Sequence, residues 1–233
     1  MAKKNKLPEK EEKVIRSFGI PDIRAEVVEE EGNIIEGHPA VYEERVSIGP
    51  PDDPWFYEII ERGAFDDTDF DDVLFTANHE MWDIPLARSR RNNTSAKKST
   101  MELKLDDIGV FIRANLDIER NSEAKKLYSA VDRGDIDGMS FIFYVADERW
   151  TDMDKDVPTR YIKKIAKVRE VSAVNFPAYE GTDIQARSDQ TALENAKKAL
   201  ENARSTLDNE KNERNKETVL EMERLKAQIL MRG

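Results

Sequence analysis

The chain has 233 residues and a net charge of −11, with 36% charged against 39% hydrophobic side chains, which suits one folded domain of ordinary size plus an extension. The absence of cysteine excludes disulfides, thiolate catalysis and thiolate-held zinc or iron–sulfur centres, and no run approaches the roughly 18 apolar residues of a membrane helix. The acidic excess is confined to residues 1–188, with 39 acidic and 28 basic side chains. Such a body argues against binding nucleic acid through its phosphates.

In chain order, residues 1–22 are charged and punctuated by Pro8 and Pro21, and read as a mobile arm. The basic start, Met1-Ala2-Lys3-Lys4, is followed by no apolar run, so a secretory signal is not expected and the protein reads as soluble and intracellular. Short β-rich stretches follow at 23–28 and 33–35, separated by an acidic turn that ends in Gly32. The carboxylate run 66–72 resembles a calcium loop only in charge. It lacks the glycine at the sixth position and the late glutamate, and reads as solvated. The basic cluster from Arg88 to Lys98 likewise reads as a solvated loop.

Alternating apolar residues at 101–105 and 110–112, joined by Asp106-Asp107-Ile108-Gly109, predict a hairpin. Asn121 and Ser122 offer a cap for a helix whose apolar face is Ala124, Leu127, Tyr128 and Val131, stopped by Gly134. Residues 139–145 are almost wholly apolar and predict a buried strand. A second long extended segment is predicted from Tyr161 to Phe176, ended by Pro177.

Beyond Thr191 the texture changes. Residues 189–233 hold nine acidic and nine basic side chains. Leu193, Ala196, Leu200, Ala203 and Leu207 step in a heptad seam, which resumes in a new phase at Val219, Met222, Leu225 and Ile229. This predicts one long helix, or two, with a weak coiled-coil character that needs a partner. The expected organisation is an arm over 1–22, a folded body over 23–187 and a helical tail over 188–233. The fold class is α+β, and strand-rich bodies of this kind often close into barrels.

Histidine is scarce, which narrows the chemistry. Only His38 and His79 occur, and no HExxH motif is present, so no metal or other cofactor is expected. His38, at a turn into a strand, reads as structural. His79 lies where the apolar run Leu74-Phe75-Thr76-Ala77 turns polar, as at a strand end facing a cleft. Ser140 is a hydroxyl inside the apolar run Gly138-Met139-Ser140-Phe141-Ile142-Phe143. It is either a buried serine bonded to a neighbouring strand, or a nucleophile activated by a base within hydrogen-bond reach. The flanks do not form the G-x-S-x-G elbow of other serine hydrolases.

Four spaced segments carry a resemblance: Arg62-Gly63-Ala64-Phe65; Asn78-His79-Glu80 with Pro85-Leu86-Ala87-Arg88; Gly138-Met139-Ser140-Phe141; and Arg169-Glu170-Val171-Ser172 with Pro177-Ala178-Tyr179. Their order and intervals over residues 23–187 resemble the HK97-type prohead proteases of tailed phages, which are similar to the herpesvirus assembly protease. The resemblance implies a mainly antiparallel closed β-barrel ringed by a few helices. It also implies a serine endopeptidase with Ser140 as nucleophile, His79 as base and an orienting third residue. The herpesvirus third member, a second histidine, is impossible here because none follows His79; the phage-type pattern places the role on Glu170.

By the same resemblance, the substrates are the scaffold or delta-like segment of the major capsid protein and the protease itself. The setting is the assembling prohead in the host cytoplasm. The junction Ala186-Arg187-Ser188-Asp189 is a candidate self-cleavage point, and the tail is expected to self-associate or to bind scaffold. The alternative is a catalytically inactive, scaffold-like assembly protein; retention of Ser140, His79 and Glu170 together favours the enzyme.

Overall fold

A computed structural model describes residues 12–16, 22–50, 52–90, 98–175 and 190–230. In chain order the elements are β1 (Glu12–Arg16), β2 (Arg24–Val28), β3 (Gly32–Val41), β4 (Arg45–Ile48), β5 (Phe56–Ile60), β6 (Leu74–Ala77), β7 (Ala87–Arg88), β8 (Met101–Leu105), β9 (Gly109–Leu116), α1 (Ser122–Asp132), β10 (Gly138–Thr151), β11 (Thr159–Val174) and α2 (Gln190–Leu230). The chain divides into two compact units, Met1–Asn195 and Ala196–Gly233.

In the first unit a seven-stranded sheet runs β1-β10-β11-β5-β4, with β6 joined to β11 and β7 to β6. A four-stranded sheet runs β2-β3-β9-β8. The predicted hairpin is β8–β9, with Leu105 opposite Val110. Asp106 closes its turn, one carboxylate oxygen accepting from the amides of Ile108 and Gly109 at 2.8 and 2.9 Å. Gly109 is obligatory because a Cβ there would lie 2.0 Å from the Ala40 carbonyl oxygen. The predicted helix is α1. The Asn121 side chain caps it by accepting from the amides of Glu123 and Ala124, and Gly134 follows at φ +73°.

The expected closed, mainly antiparallel barrel does not form: both sheets are open and the larger one is mixed. The reason lies in β11. One of its edges pairs antiparallel with β10. The other takes two parallel partners in succession, β5 at 159–162 and β6 at 170–173. A strand shared in this way forks the sheet, leaving β1, β4 and β7 as its ends. Register shifts between Ile142 and Glu148 mark bulges in the β10–β11 hairpin, and bulges bend the strand that carries them. Arg16 of β1 reaches Glu58 of β5 through side chains, where a barrel would have a backbone ladder. Nor is there a ring of helices, since α1 is the one helix lying wholly in the first unit among the described residues.

Phe56, Phe65, Phe75, Phe141, Phe143, Ile34, Ile35, Ile60 and Ile112 are all fully buried. The Phe141 and Phe143 rings stack with centroids 4.4 Å apart. Truncating one such phenylalanine to alanine typically costs about 3–5 kcal/mol, so the strand bearing Ser140 is firmly anchored immediately after the serine. Glu12–Arg16, within the segment read as a mobile arm, form an edge strand on β10. Three of the five carboxylates of 66–72 are engaged by cations of the chain: Asp67 by Lys164, Asp69 by Lys167, and Asp72 by both nitrogens of the Arg88 fork.

His38 lies on β3 with Nδ1 2.6 Å from Asp22 and Nε2 2.9 Å from Asp106, tying β3 to the β8–β9 turn. Burial opposes its charge, but hydrogen bonds to the two carboxylates outweigh burial and hold its pKa above the ordinary value. A histidine raised in this way stabilises the fold fully below its unfolded pKa of about 6.5 and loses that contribution as pH rises through the folded value. The melting-temperature advantage of the parent over His38→Gln should therefore be largest near pH 6 and shrink toward pH 9. Calorimetry across that range checks it, and a constant difference would contradict the assignment.

The second unit belongs to α2. This helix of 41 residues is continuous through the polar stretch that separates the two phases of the seam. At 1.5 Å per residue it is about 60 Å long. The coiled-coil expectation finds no support: among the described residues α2 is the one helix of the second unit, and its Val219, Leu220, Met222 and Leu225 are each about half exposed.

Candidate active site

Three strands set a row of small hydroxyl residues side by side. Ser140 on β10 pairs with Ser172 on β11, which in turn pairs with Thr76 on β6. All three are buried, and Ser140 has no exposed surface. Glu170 lies two residues before Ser172 and is also fully buried. On a strand that spacing brings its side chain to the same face as Ser172.

His79 follows β6 by two residues. Asn78 and His79 both take left-handed backbone conformations, with φ +49° and +60°. The turn is pinned on β11: the Asn78 amide donates to the Ala173 carbonyl at 2.9 Å, the Asn175 amide to Asn78 Oδ1 at 3.1 Å, and the His79 amide to Ser172 Oγ at 2.9 Å. These bonds turn the imidazole back over the hydroxyl row. His79 Nδ1 is 2.7 Å from Glu170 Oε2, and Nε2 is 2.8 Å from Ser140 Oγ. Thr76 Oγ1 donates to the other Glu170 oxygen and lies 3.1 Å from Ser172 Oγ.

The three residues singled out from sequence thus stand in single file, Ser140–His79–Glu170. With a carboxylate accepting at Nδ1, the imidazole proton faces Glu170 and Nε2 is free to accept from the serine. Such a file can make a serine alkoxide without a metal ligand, and the buried carboxylate can stabilise the imidazolium that results. His38 is held elsewhere by Asp22 and Asp106. Three residues that support the file were not foreseen as functional: Asn78, Thr76 and Ser172. For Ser172 the available signal was its position two residues after Glu170, and for Thr76 its place three residues before His79.

A serine, a histidine and a buried carboxylate in hydrogen-bonded sequence, carried on a forked mixed sheet, are the arrangement of a serine hydrolase. Comparison with known proteins narrows the class. Residues 22–198 match the model of the caudovirus prohead serine protease family, and the chain belongs to that family. The prohead protease of Enterobacteria phage HK97 is 29% identical over 165 residues, a match spanning 69% of this chain and 63% of that protein. Among solved structures, the bacteriophage T4 capsid assembly protease, gp21, overlays with a TM-score of 0.41 at 16% identity, over 71% of this chain and 99% of that one.

Proposed function

We propose that the chain is the serine endopeptidase of capsid maturation in a tailed phage. Ser140 is the nucleophile, His79 the general base and then general acid, and Glu170 the residue that orients and stabilises the histidine. Ser140 adds to a peptide carbonyl as His79 takes its proton. The amine leaves with that proton, and water hydrolyses the acyl-enzyme. The reading is carried by the Ser140–His79–Glu170 file in a member of the prohead protease family. Its substrates are the scaffold or delta-like segment of the major capsid protein and the protease itself, inside the prohead assembling in the host cytoplasm.

We assign residues 23–187 to the protease and 188–233 to docking. The half-exposed apolar side chains of α2 suit a helical partner: scaffold, the removable capsid segment or a second copy. The earlier cleavage expectation at 186–189 lies outside the described residues. One experiment tests both assignments. The full chain and a chain ending at Ser188 are incubated with the cognate capsid protein, products are identified by mass, and incorporation into assembling proheads is measured. Both chains should cut at the same bonds and rates in solution, and only the full chain should be packaged. No cleavage by the full chain would refute the enzyme; normal packaging of the shortened one would refute the role of the tail.

A further inference from the structure

With β1 in place the candidate nucleophile is sealed, and β1 covers it in the manner of a substrate. Arg16, opposite Phe141 on the edge of β10, presents its carbonyl oxygen 2.9 Å from Ser140 Oγ. Any external acyl group must bring its carbonyl to that hydroxyl, so it has to enter where β1 now lies. Addition of an extended peptide to a free sheet edge is a general mode of recognition. The serine hydroxyl has one proton and two acceptors here, His79 Nε2 and the Arg16 oxygen. When that proton goes to the histidine, the Arg16 carbonyl is the acyl group beside the nucleophile.

The Arg16 side chain supplies the second observation. It is 8% exposed, and its Nε donates to Glu58 Oε1 at 2.7 Å. Glu58 has no exposed surface. Its other oxygen accepts from Arg160 Nη1 at 2.9 Å, and Arg160 Nε donates in turn to Glu148 at 2.7 Å. Without Arg16, the group Glu58, Glu148 and Arg160 carries one surplus negative charge; Arg16 brings it to neutrality. Glu148 is 30% exposed, whereas removing Arg16 would leave the buried Glu58 Oε1 without its donor, so this site favours a cation that can reach that oxygen.

We propose that β1 is held as the chain's own substrate strand, and that Glu58 marks the specificity site for a basic side chain immediately before the scissile bond. The inference rests on the catalytic assignment above. Ser140 Oγ bonds to the Arg16 carbonyl carbon, and the bond from that carbon to the next nitrogen breaks as His79 protonates the leaving amine. Water then cleaves the ester, leaving a carboxylate on Arg16 and restoring Ser140. Departure of residues 1–16 frees the edge of β10 for other basic-residue substrates.

The test follows the intact mass of the full-length chain over time for the parent, Ser140→Ala, Arg16→Lys and Arg16→Gln, with circular dichroism confirming that each is folded. The parent should lose residues 1–16 and acquire Ser17 as its new first residue, while Ser140→Ala stays whole. Arg16→Lys should be cut within about tenfold of the parent rate, and Arg16→Gln at least about 10²-fold more slowly, as expected when one partner of a buried charge pair is lost. Equal cutting of Arg16→Gln, or cutting only at other bonds, overturns the proposal. Ser140-dependent cleavage of the cognate capsid protein with the Arg16 bond intact overturns this inference alone; no cleavage of either overturns the catalytic assignment with it.

Discussion

Ser140→Ala should lower turnover of the capsid substrate by about 10⁶ and leave the fold in place. Removing the hydroxyl takes away the only atom positioned to form the acyl-enzyme, because Thr76 and Ser172, the neighbouring hydroxyls in the row, face Glu170 and the His79 backbone and not Nε2. The structural effect is small. The side chain is fully buried among residues that are themselves anchored, and it is exchanged for one of nearly equal size. Net loss of one ordinary hydrogen bond is worth about 1 kcal/mol, a shift of about 2–4 °C in Tm for a chain of this length. Mass spectrometry of the capsid products together with a thermal melt reads both quantities. A variant that cuts at the parent rate sinks the nucleophile assignment.

His79→Ala should be as inactive as Ser140→Ala, because triad members act as a unit. The two histidines give the experiment its control. His38→Ala should retain parental turnover when assayed below its melting temperature, since His38 is engaged by Asp22 and Asp106. The two variants should differ in the opposite sense in stability: His38→Ala removes a buried, doubly bonded ring, whereas His79→Ala removes one that is partly exposed. Turnover and Tm measured side by side separate the roles. A folded His38→Ala that cannot cut would move the base away from His79.

Ser140 and His79 were legible because each broke a local rule: a hydroxyl inside an apolar strand, and a rare histidine at the end of one. Glu170 was not legible in that way. It sits among Arg169 and Lys167 in a segment that reads equally well as a surface strand, and only the family resemblance picked it out. Thr76 and Ser172 escaped because their meeting depends on β6 lying parallel to β11, a pairing across some 95 residues with no local signature. The same pairing defeated the barrel: nothing in the residues 159–174 announces that one edge will accept two parallel partners in turn. By contrast, β8–β9 and α1 were readable because turn, cap and stop residues act locally. β4 and β5 show the burial alternation expected of strands, yet sit among charged residues and Pro50, Pro51 and Pro54, which mask the pattern. β1 was hidden for a related reason: Glu12, Lys13 and Arg16 are charged among its five residues, and the charged run Glu9-Lys10-Glu11 precedes it.

The left-handed pair Asn78–His79 has a consequence for how such a chain can evolve. Outside glycine, each residue in that region costs on the order of 1 kcal/mol, a sizeable share of the roughly 5–15 kcal/mol that holds a domain together. Glycine at either position would relax the backbone, so selection for robustness alone would drift toward it. At position 79 that drift deletes the imidazole. At position 78 it deletes the side-chain oxygen that holds Asn175. Stability and turnover are therefore opposed at position 79, whereas at 78 the relief of the backbone is set against the loss of a bond that pins the turn. Lineages that lose the need to cut should show it first here, by becoming sturdier at 79 while the core around Phe141 and Phe143 stays as it is.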